Sequence, residues 1–314
     1  MSGPAKHDHA LLNKSAAAAS ISAALVLLGL KGWAAWSTGS TAMLGSLADT
    51  TLDLVASLAT LLGVWIAAQP ADYNHRFGHG KAEAIAALFQ IVLITISALG
   101  IAARAVEQLL AGAQVAAPAE GIGVSVVAIL VTLALLLWQR HVIRRTASLA
   151  IRTDNVHYQS DLLLNLAVIV ALALDGLLGL HGADAIFGFG IAAWLGWGAW
   201  HASQEVLDQL MDHEWPVEKK ERFLDLLARN PDITGVHDLR TRTSGNKDFV
   251  QFHVWVDGRM TVREAHRVMD EIETRIHAEF PEIEVLIHPD PEGLVDEEGD
   301  AGRDVLPPIR VSPV

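Results

Sequence analysis

The sequence predicts a two-domain chain: an all-α transmembrane domain of six helices, followed by a small cytoplasmic α+β domain whose elements run αββαβ. Two observations carry this prediction. Hydrophobic residues make up 51% of the 314 residues, and the mean hydropathy is positive, at +0.32. Nearly all of the net charge of −13 falls after residue 204, so a neutral apolar part precedes an acidic hydrophilic part.

Six apolar stretches are long enough to cross a bilayer, because a helix needs about 20 apolar residues to span the hydrocarbon core. They lie at about 15–36, 42–67, 84–110, 121–139, 150–178 and 185–203. The first stretch is too long for a secretory signal and no cleavage-type segment follows it, so it is predicted to remain as a span.

The basic residues of the short loops predict the orientation, because cytoplasmic loops carry an excess of Lys and Arg. Such residues precede the first span and occur in the loops after the second and fourth spans, whereas the loops at 37–41, 111–120 and 179–184 contain none. Both termini are therefore expected on the cytoplasmic side. Lys31 and Arg104 lie inside spans near their outer ends, where long side chains are expected to reach the interface.

The last third of the chain shows the alternation and turn signals of a small α+β domain. The predicted elements are a helix at 217–229, strands at 235–242 and 249–257, a helix from 261 to about 279, and a strand at 283–288 that ends at Pro289. Thr261, with Glu264 three residues later, forms a capping box at the start of the second helix. We expect helices on one face of a three-stranded sheet.

These patterns divide the chain into four segments. They are a cytoplasmic N-terminal segment at 1–14, the transmembrane domain at 15–211, the cytoplasmic domain at 212–290, and a disordered acidic and proline-rich tail at 291–314. The acidic charge argues against nucleic acid as a partner, since phosphate contacts need basic side chains. The chain has no cysteine, so imidazole and carboxylate are the ligands left for any metal.

Four ionisable residues lie inside predicted spans at helical spacing: Asp49 and Asp53 in the second, and His157 and Asp161 in the fifth. Residues four apart share a helix face, and ionisable residues within a membrane are costly and usually functional. Three carboxylates and one imidazole would complete a tetrahedral shell for Zn²⁺, whereas Ca²⁺ prefers more oxygen ligands and Mg²⁺ keeps its waters. The alternative is that these residues only pack the helices together and bind no metal. It requires all four to share the same membrane depth and the inward helix faces by coincidence.

Proton coupling is predicted from the same ligands. Carboxylates crowded in a low-dielectric site repel each other and hold protons, and metal binding expels those protons because the ligands bind unprotonated. A site that opens to each side in turn would therefore exchange Zn²⁺ for H⁺.

Asp154, Asp175 and Asp184, near the ends of spans, are interpreted as structural.

Five motifs resemble those of the cation diffusion facilitator family, within it the bacterial zinc/proton antiporters. They are SLADTTLD at 46–53, NHRFGHGKAE at 74–83, HYQSD at 157–161, HDLRTR at 237–242 and IHPDP at 287–291. The resemblance implies six helices, a metallochaperone-like cytoplasmic domain, a homodimer, alternating access and a location in the bacterial inner membrane. It places the transport site on the four residues identified above, in a ligand set closer to zinc and cadmium carriers than to the manganese branch.

A second metal site is predicted in the loop after the second span. Asp72, His75 and His79 have the spacing of ligands there, although solvated loop histidines are common without a metal. The resemblance places a loop-borne site at these three residues.

The cytoplasmic domain contains a further set of candidate ligands: His237, His253, His266, His288 and Asp290. Four histidines on four separate elements could be scattered surface residues. If they converge, the resemblance implies a two-metal site at a dimer interface. Pro289 departs from the family, in which a polar side chain can occur; a backbone carbonyl ligand at that position would survive the change, whereas a side-chain ligand would be lost.

Lys81 and Asp212 are candidates for an inter-domain charge pair. Lys81 opens the third span and Asp212 follows the sixth. The resemblance implies that they interlock the two domains. The alternative is two separate charges at the membrane interface, which would contribute little to stability.

The function predicted from the sequence is secondary active export of a divalent transition metal, Zn²⁺ first and Cd²⁺ next, by proton antiport. Export of Fe²⁺ or Mn²⁺ is the alternative within the same family, and a metal-selective channel or a membrane metal sensor are alternatives of other classes. No enzymatic activity and no catalytic cofactor are expected. Zn²⁺ is expected both as substrate and as a structural or regulatory ion, with protons, the bilayer and a second copy of the chain as partners.

Overall fold

The computed structural model describes residues 4–38, 41–111, 120–178, 183–230, 233, 235–281 and 283–292. The chain divides into two compact units, Met1–Leu207 and Asp208–Val314. The predicted tail lies outside the described residues after position 292.

Six long helices form the first unit, in agreement with the predicted architecture. They are α1 (Pro4–Thr38), α2 (Thr41–Ala67), α3 (Lys81–Ala111), α4 (Glu120–Thr146), α5 (Leu149–Leu178) and α6 (Ala183–Leu210). Because α1 begins at Pro4, most of the segment 1–14 is helical and continuous with the first span. Its Ala and Leu residues are strong helix formers, which explains this early start.

Four helical segments in the described part of the chain are long and apolar enough to cross a membrane. They are Asp8–Ser37, Ser46–Ala67, Lys81–Leu110 and Gly123–Thr146. The predicted spans in α5 and α6 do not meet this criterion over their described residues. The first half of α5 carries the charged side chains of Arg152, Asp154 and Asp161, and α6 is rich in Gly and Trp, which score low in hydropathy.

Small residues allow the helices of this unit to pack closely, as is typical of membrane domains. A methyl group added at Gly63 on α2 would come within 2.4 Å of the Ala86 side chain on α3, so Gly is required where these helices meet. Ala16, Ala17 and Ala150 are buried in the same cluster. Large apolar side chains lie on the outside of the unit instead; they include Leu25, Ile96, Leu99, Leu130 and Leu137. Such a surface suits lipid rather than water.

The second unit has the predicted order αββαβ. Its elements are α7 (Val217–Ala228), β1 (Gly235–Ser244), β2 (Lys247–Val256), α8 (Val262–Glu279) and β3 (Ile283–Pro291). The sheet order is β1-β2-β3, with β1 antiparallel and β3 parallel to β2. The prediction that the last strand ends at Pro289 is wrong, because β3 continues to Pro291. It is an edge strand, where proline is tolerated because half of the backbone N–H groups need no partner.

The apolar core of this unit lies between the two helices and one face of the sheet. Phe223 of α7, Phe252 of β2 and Ile272 and Ile276 of α8 are almost completely buried there. The predicted capping box is present: the Glu264 backbone N–H donates to Thr261 Oγ1 at 3.3 Å, and the Thr261 N–H donates to Glu264 Oε2 at 2.8 Å. Strand alternation leaves the other face of the sheet for polar side chains.

Candidate metal centres

A group of three ligand side chains lies between α2 and α5, named here the transmembrane cluster: Asp53, His157 and Asp161. His157 Nε2 lies 3.0 Å from Asp53 Oδ1 and 4.0 Å from Asp161 Oδ2. One ligand atom from each residue lies within 4.8 Å of the others, a spacing at which one ion can be shared. The His157 side chain is 8% exposed, so the imidazole faces the two carboxylates from inside the helix bundle.

Asp49, the fourth predicted ligand, is not part of this cluster. It lies one turn before Asp53 on α2, about 6 Å along the helix axis, and its side chain is exposed. The hydroxyl of the adjacent Thr50 accepts a hydrogen bond from Lys31 Nζ at 2.6 Å. The Lys31 ammonium therefore contacts α2, and its position at the membrane interface stays a prediction. A ligand role for Asp49 stays a prediction.

Asp154, predicted to be structural from its place near a span end, has a completely buried carboxylate. It accepts hydrogen bonds from Ser20 Oγ of α1 at 2.6 Å, Gln139 Nε2 of α4 at 2.7 Å and Gln90 Nε2 of α3 at 2.8 Å. One side chain thus joins α5 to three other helices, one turn before His157. The sequence contains two signals for this buried carboxylate. Asp154 lies three residues before His157 and so near the same helix face, and amide side chains occur inside two other spans.

Tyr158 makes a second connection beside the transmembrane cluster. Its hydroxyl lies 2.9 Å from Ser57 Oγ of α2 and donates to the Ser20 carbonyl of α1 at 3.1 Å. The residue that follows His157 is thereby attached to the helix that carries Asp53. These contacts hold the two ligand-bearing helices in register.

The predicted loop ligands also come together, and are named the loop cluster: Asp72, His75 and His79. His75 Nδ1 lies 3.2 Å from Asp72 Oδ1, and His79 Nε2 lies 3.4 Å from Asp72 Oδ2. The backbone N–H groups of His75 and Asn74 donate to Asp72 Oδ1, and this stabilisation of the anion lowers the pKa of the Asp72 carboxyl. The loop therefore presents an ionised carboxylate toward both imidazoles.

In the second unit, four predicted ligands meet on the polar face of the sheet and are named the sheet cluster: His237, His253, His288 and Asp290. The register places His237, His253 and His288 side by side on β1, β2 and β3. Asp290 Oδ2 lies 3.2 Å from His237 Nε2 and 2.8 Å from His253 Nδ1, while its Oδ1 lies 3.1 Å from His288 Nε2. The two carboxylate oxygens thus face different histidines.

The chemistry of the sheet cluster fits a bound transition metal. Both ring nitrogens of His237 are buried and make no hydrogen bond, since Nε2 has only the 3.2 Å contact with Asp290 Oδ2, although a neutral imidazole has one donor and one acceptor to satisfy. A metal ion beside Asp290 would occupy one of these nitrogens. Imidazole and carboxylate are ligands that Zn²⁺ accepts.

His266, the remaining candidate, does not join the sheet cluster within this chain. It lies on α8, its side chain is 75% exposed, and its Nδ1 lies 3.8 Å from Asp270 Oδ1. Because α8 packs on the apolar face of the sheet, His266 is separated from the histidines on the opposite face. Its ligand role stays a prediction that requires another copy of the chain.

Lys81 and Asp212 belong to different units, so their pairing stays a prediction. Lys81 is the first residue of α3. Asp212 has a left-handed backbone with φ 58°, and its carboxylate accepts a hydrogen bond from Arg242 Nη1 at 3.3 Å within the second unit.

Apolar helices around a cluster of candidate metal ligands are typical of multi-pass membrane transporters of metal cations. Two family profiles match the chain: "Cation efflux transmembrane domain" over residues 17–211 and "Cation efflux protein, cytoplasmic domain" over residues 215–292. The "Cation-efflux pump FieF" proteins of Cronobacter sakazakii and of Escherichia coli O127:H6 are each 41% identical over 289 residues, which cover 92% of this chain and 96% of each relative. The chain therefore belongs to the cation diffusion facilitator family, a family of metal exporters.

Solved structures of relatives match about a quarter of the chain. A structure of the "putative zinc transporter CzrB" is 40% identical, with a TM-score of 0.24, and the match covers 25% of this chain and 99% of that one. The "metal-bound C-terminal domain of CzcD transporter" from Thermotoga maritima is 31% identical, with a TM-score of 0.25, over 26% of this chain and 94% of that one.

Proposed function

We propose that this cation exporter carries Zn²⁺, with Cd²⁺ as a second candidate substrate, out of the cytoplasm in exchange for protons by alternating access. The observation that supports this most directly is the transmembrane cluster. It places one imidazole and two carboxylates from two helices around a common position inside a helix bundle. Ionisable residues in such a place are typical of ion pathways.

The donor set favours a borderline ion over a hard one. Zn²⁺ accepts imidazole and carboxylate in a four-coordinate shell, whereas Mg²⁺ and Ca²⁺ prefer oxygen ligands alone. Asp49 would complete the shell by a small movement of α2 relative to α5. The same donors also accept Fe²⁺ and Mn²⁺, so export of these ions is the alternative substrate choice.

Exchange with protons is supported by the chemistry of the ligands. Metal binding requires an unprotonated imidazole nitrogen and ionised carboxylates, so any protons held by the empty cluster must leave when the metal enters. An inward proton gradient would then drive export if the cluster opens to each side of the membrane in turn. Both termini would lie in the cytoplasm.

The second unit is proposed to bind metal and to pair with its copy in a homodimer. The sheet cluster would hold resident zinc, with His266 contributed by the other copy across the interface. The acidic surfaces of two such domains repel each other, and bound cations would reduce this repulsion. Metal in the cytoplasm would thereby bias the transport domain, partly through the predicted Lys81–Asp212 pair.

Proteoliposome transport with simultaneous detection of metal and proton movement tests this function. Purified protein is reconstituted, Zn²⁺, Cd²⁺, Fe²⁺ and Mn²⁺ are offered in turn, and internal pH is followed with a trapped dye. Saturable Zn²⁺ uptake coupled to opposite proton movement is the expected result. Metal flux without a pH change would favour a channel, because direct exchange requires the ligands to take up protons when the metal leaves. The variant Glu107→Gln, an exposed acid of α3, serves as the matched control.

A further inference from the structure

We propose that Asp238 is a positioning residue of the sheet cluster: its carboxylate orients the His253 ring through Nε2, so that Nδ1 is directed to a metal beside Asp290. The inference rests on the proposed metal site of the second unit. It assigns a role to a residue that is not itself a ligand. Four features of the described residues support it.

The first feature is a β-bulge at Asp238. In β1, His237 pairs with His253 and Arg240 pairs with Gln251, so Asp238 and Leu239 together oppose the single residue Phe252. Bulges insert one extra residue and redirect a side chain. Without the bulge, strict alternation would turn this carboxylate toward the apolar core, where Leu239 lies instead.

The second feature is the backbone of Asp238, which has a left-handed φ of 49°. Asp adopts this region more readily than most residues, yet it costs energy in any side chain other than Gly. Such backbone strain is concentrated at functional sites. Gly would adopt this conformation without strain, so the presence of Asp here is consistent with a role for its carboxylate.

The third feature is a bidentate ion pair between Arg240 and the same carboxylate. Arg240 Nε donates to Asp238 Oδ1 at 3.0 Å, and Nη2 lies 3.0 Å from Oδ2. Bidentate pairs of this kind fix the plane of a carboxylate. The Asp238 side chain is 17% exposed, so it is directed inward along the sheet surface. Because Arg240 engages both oxygens, Asp238 is suited to orient a neighbour rather than to bind a metal itself.

The fourth feature is that the two ring nitrogens of His253 face two different carboxylates. Nδ1 lies 2.8 Å from Asp290 Oδ2, and Nε2 lies 3.8 Å from Asp238 Oδ2. When Nδ1 binds a metal, Nε2 carries the ring proton. A rotation that shortens the second distance by about 1 Å would then make a hydrogen bond. Metal-ligating histidines commonly donate their other N–H to a carboxylate, which fixes the tautomer and the ring orientation.

The experiment measures Zn²⁺ affinity of the full-length protein by competition with a chromophoric chelator. The background variant Asp161→Ala/His79→Ala removes a ligand from each of the other two clusters. Asp238→Gly relieves the strain at φ 49° and keeps the bulge while removing the carboxylate. Asp238→Asn also tolerates the left-handed backbone and keeps an oxygen that can accept the Nε2 proton. Glu284→Ala, an exposed acid of β3, is the control.

The expected result is an affinity about 10–100-fold lower in Asp238→Gly, the usual effect of removing such an outer partner. Asp238→Asn should recover a substantial part of this loss, and Glu284→Ala should bind like the background protein. Unchanged affinity in Asp238→Gly would overturn the proposal, as would equal losses in the Gly and Asn variants. Failure of the metal site itself is distinguishable, because His237→Ala would then leave the affinity of the same background unchanged.

Discussion

Replacement of Asp154 tests how far a buried side chain outside the ligand set supports the transport domain. In Asp154→Ala, Ser20, Gln90 and Gln139 each lose one hydrogen bond inside the bundle, while each donor keeps a second acceptor. Hydrogen bonds in membrane proteins are worth about 0.6 kcal/mol each on average. Three such bonds predict a loss of about 2 kcal/mol in the free energy of unfolding, to which the cavity left by the carboxylate adds.

The near-isosteric variant Asp154→Asn separates hydrogen bonding from cavity formation. Gln139 cannot rotate its amide to compensate, because its Oε1 accepts a hydrogen bond from Asn155 Nδ2 at 2.9 Å while its Nε2 donates to Asp154. The new amide N–H₂ would therefore take the Oδ1 position, where Gln90 can turn its unpartnered Oε1 to accept from it and give up its own hydrogen bond to Thr60. We expect one interaction to be lost, a destabilisation of about 1 kcal/mol.

The assay is reversible denaturant unfolding of the detergent-solubilised protein, followed by tryptophan fluorescence and compared with the exposed control Glu107→Gln. Transport in proteoliposomes is measured on the same preparations. The reasoning would be refuted if Asp154→Ala unfolded at the same denaturant concentration as the control. It would also be refuted if Asp154→Asn were as destabilised as Asp154→Ala, since shape rather than donor direction would then decide the effect.

Three other predictions follow from the clusters and from the capping box. Asp53→Ala or Asp161→Ala should abolish metal transport in proteoliposomes while the protein stays folded by circular dichroism, since each removes a ligand; near-wild-type uptake would contradict the site. Calorimetric Zn²⁺ titration of a variant lacking His79 and His237 should release protons between about pH 6 and 7, seen as a dependence of heat on buffer ionisation enthalpy; no release would argue against exchange. The backbone N–H of Thr261 lowers the pKa of Glu264, so Glu264→Gln should destabilise the second unit at neutral pH. The difference in stability between the wild type and Glu264→Gln should disappear as the pH falls from 4.5, the ordinary pKa of a Glu side chain, through the lowered pKa of Glu264 in the folded protein, because the carboxylate is then protonated. A difference that persists in acid would exclude this charge effect.

Much of the fold was predictable because it depends on local patterns. Long apolar stretches predict α1 to α4 directly, since the bilayer sets the length that a helix needs. The residues Thr261 and Glu264 predict the start of α8 because a capping box is a contact between neighbours in sequence. The end of β3 was not predictable in this way. Pro289 normally terminates a strand, and only the position of β3 at the sheet edge allows it to continue.

In the candidate ligand clusters, too, some features follow from local sequence and others depend on contacts between distant residues. The spacing of His157 and Asp161 places both on one face of α5 whatever the tertiary fold, since a helix repeats every 3.6 residues. Packing between helices decides which residue of α2 lies beside His157 and Asp161. In the structure this residue is Asp53, and Asp49 lies one turn away. The burial of Asp154 likewise depends on donors from α1, α3 and α4, which lie far from it in sequence.

In the second unit, the sequence by itself determined that histidines occur on each strand, but their convergence depended on strand register. A shift of one residue would have turned His253 or His288 into the apolar core, because side chains alternate between the faces of a sheet. Tertiary structure also decided that His266 lies on the far side of α8 and that Asp238 reaches His253 from a bulge. Local patterns set the type and length of each element, whereas contacts between distant residues set which side chains share a site.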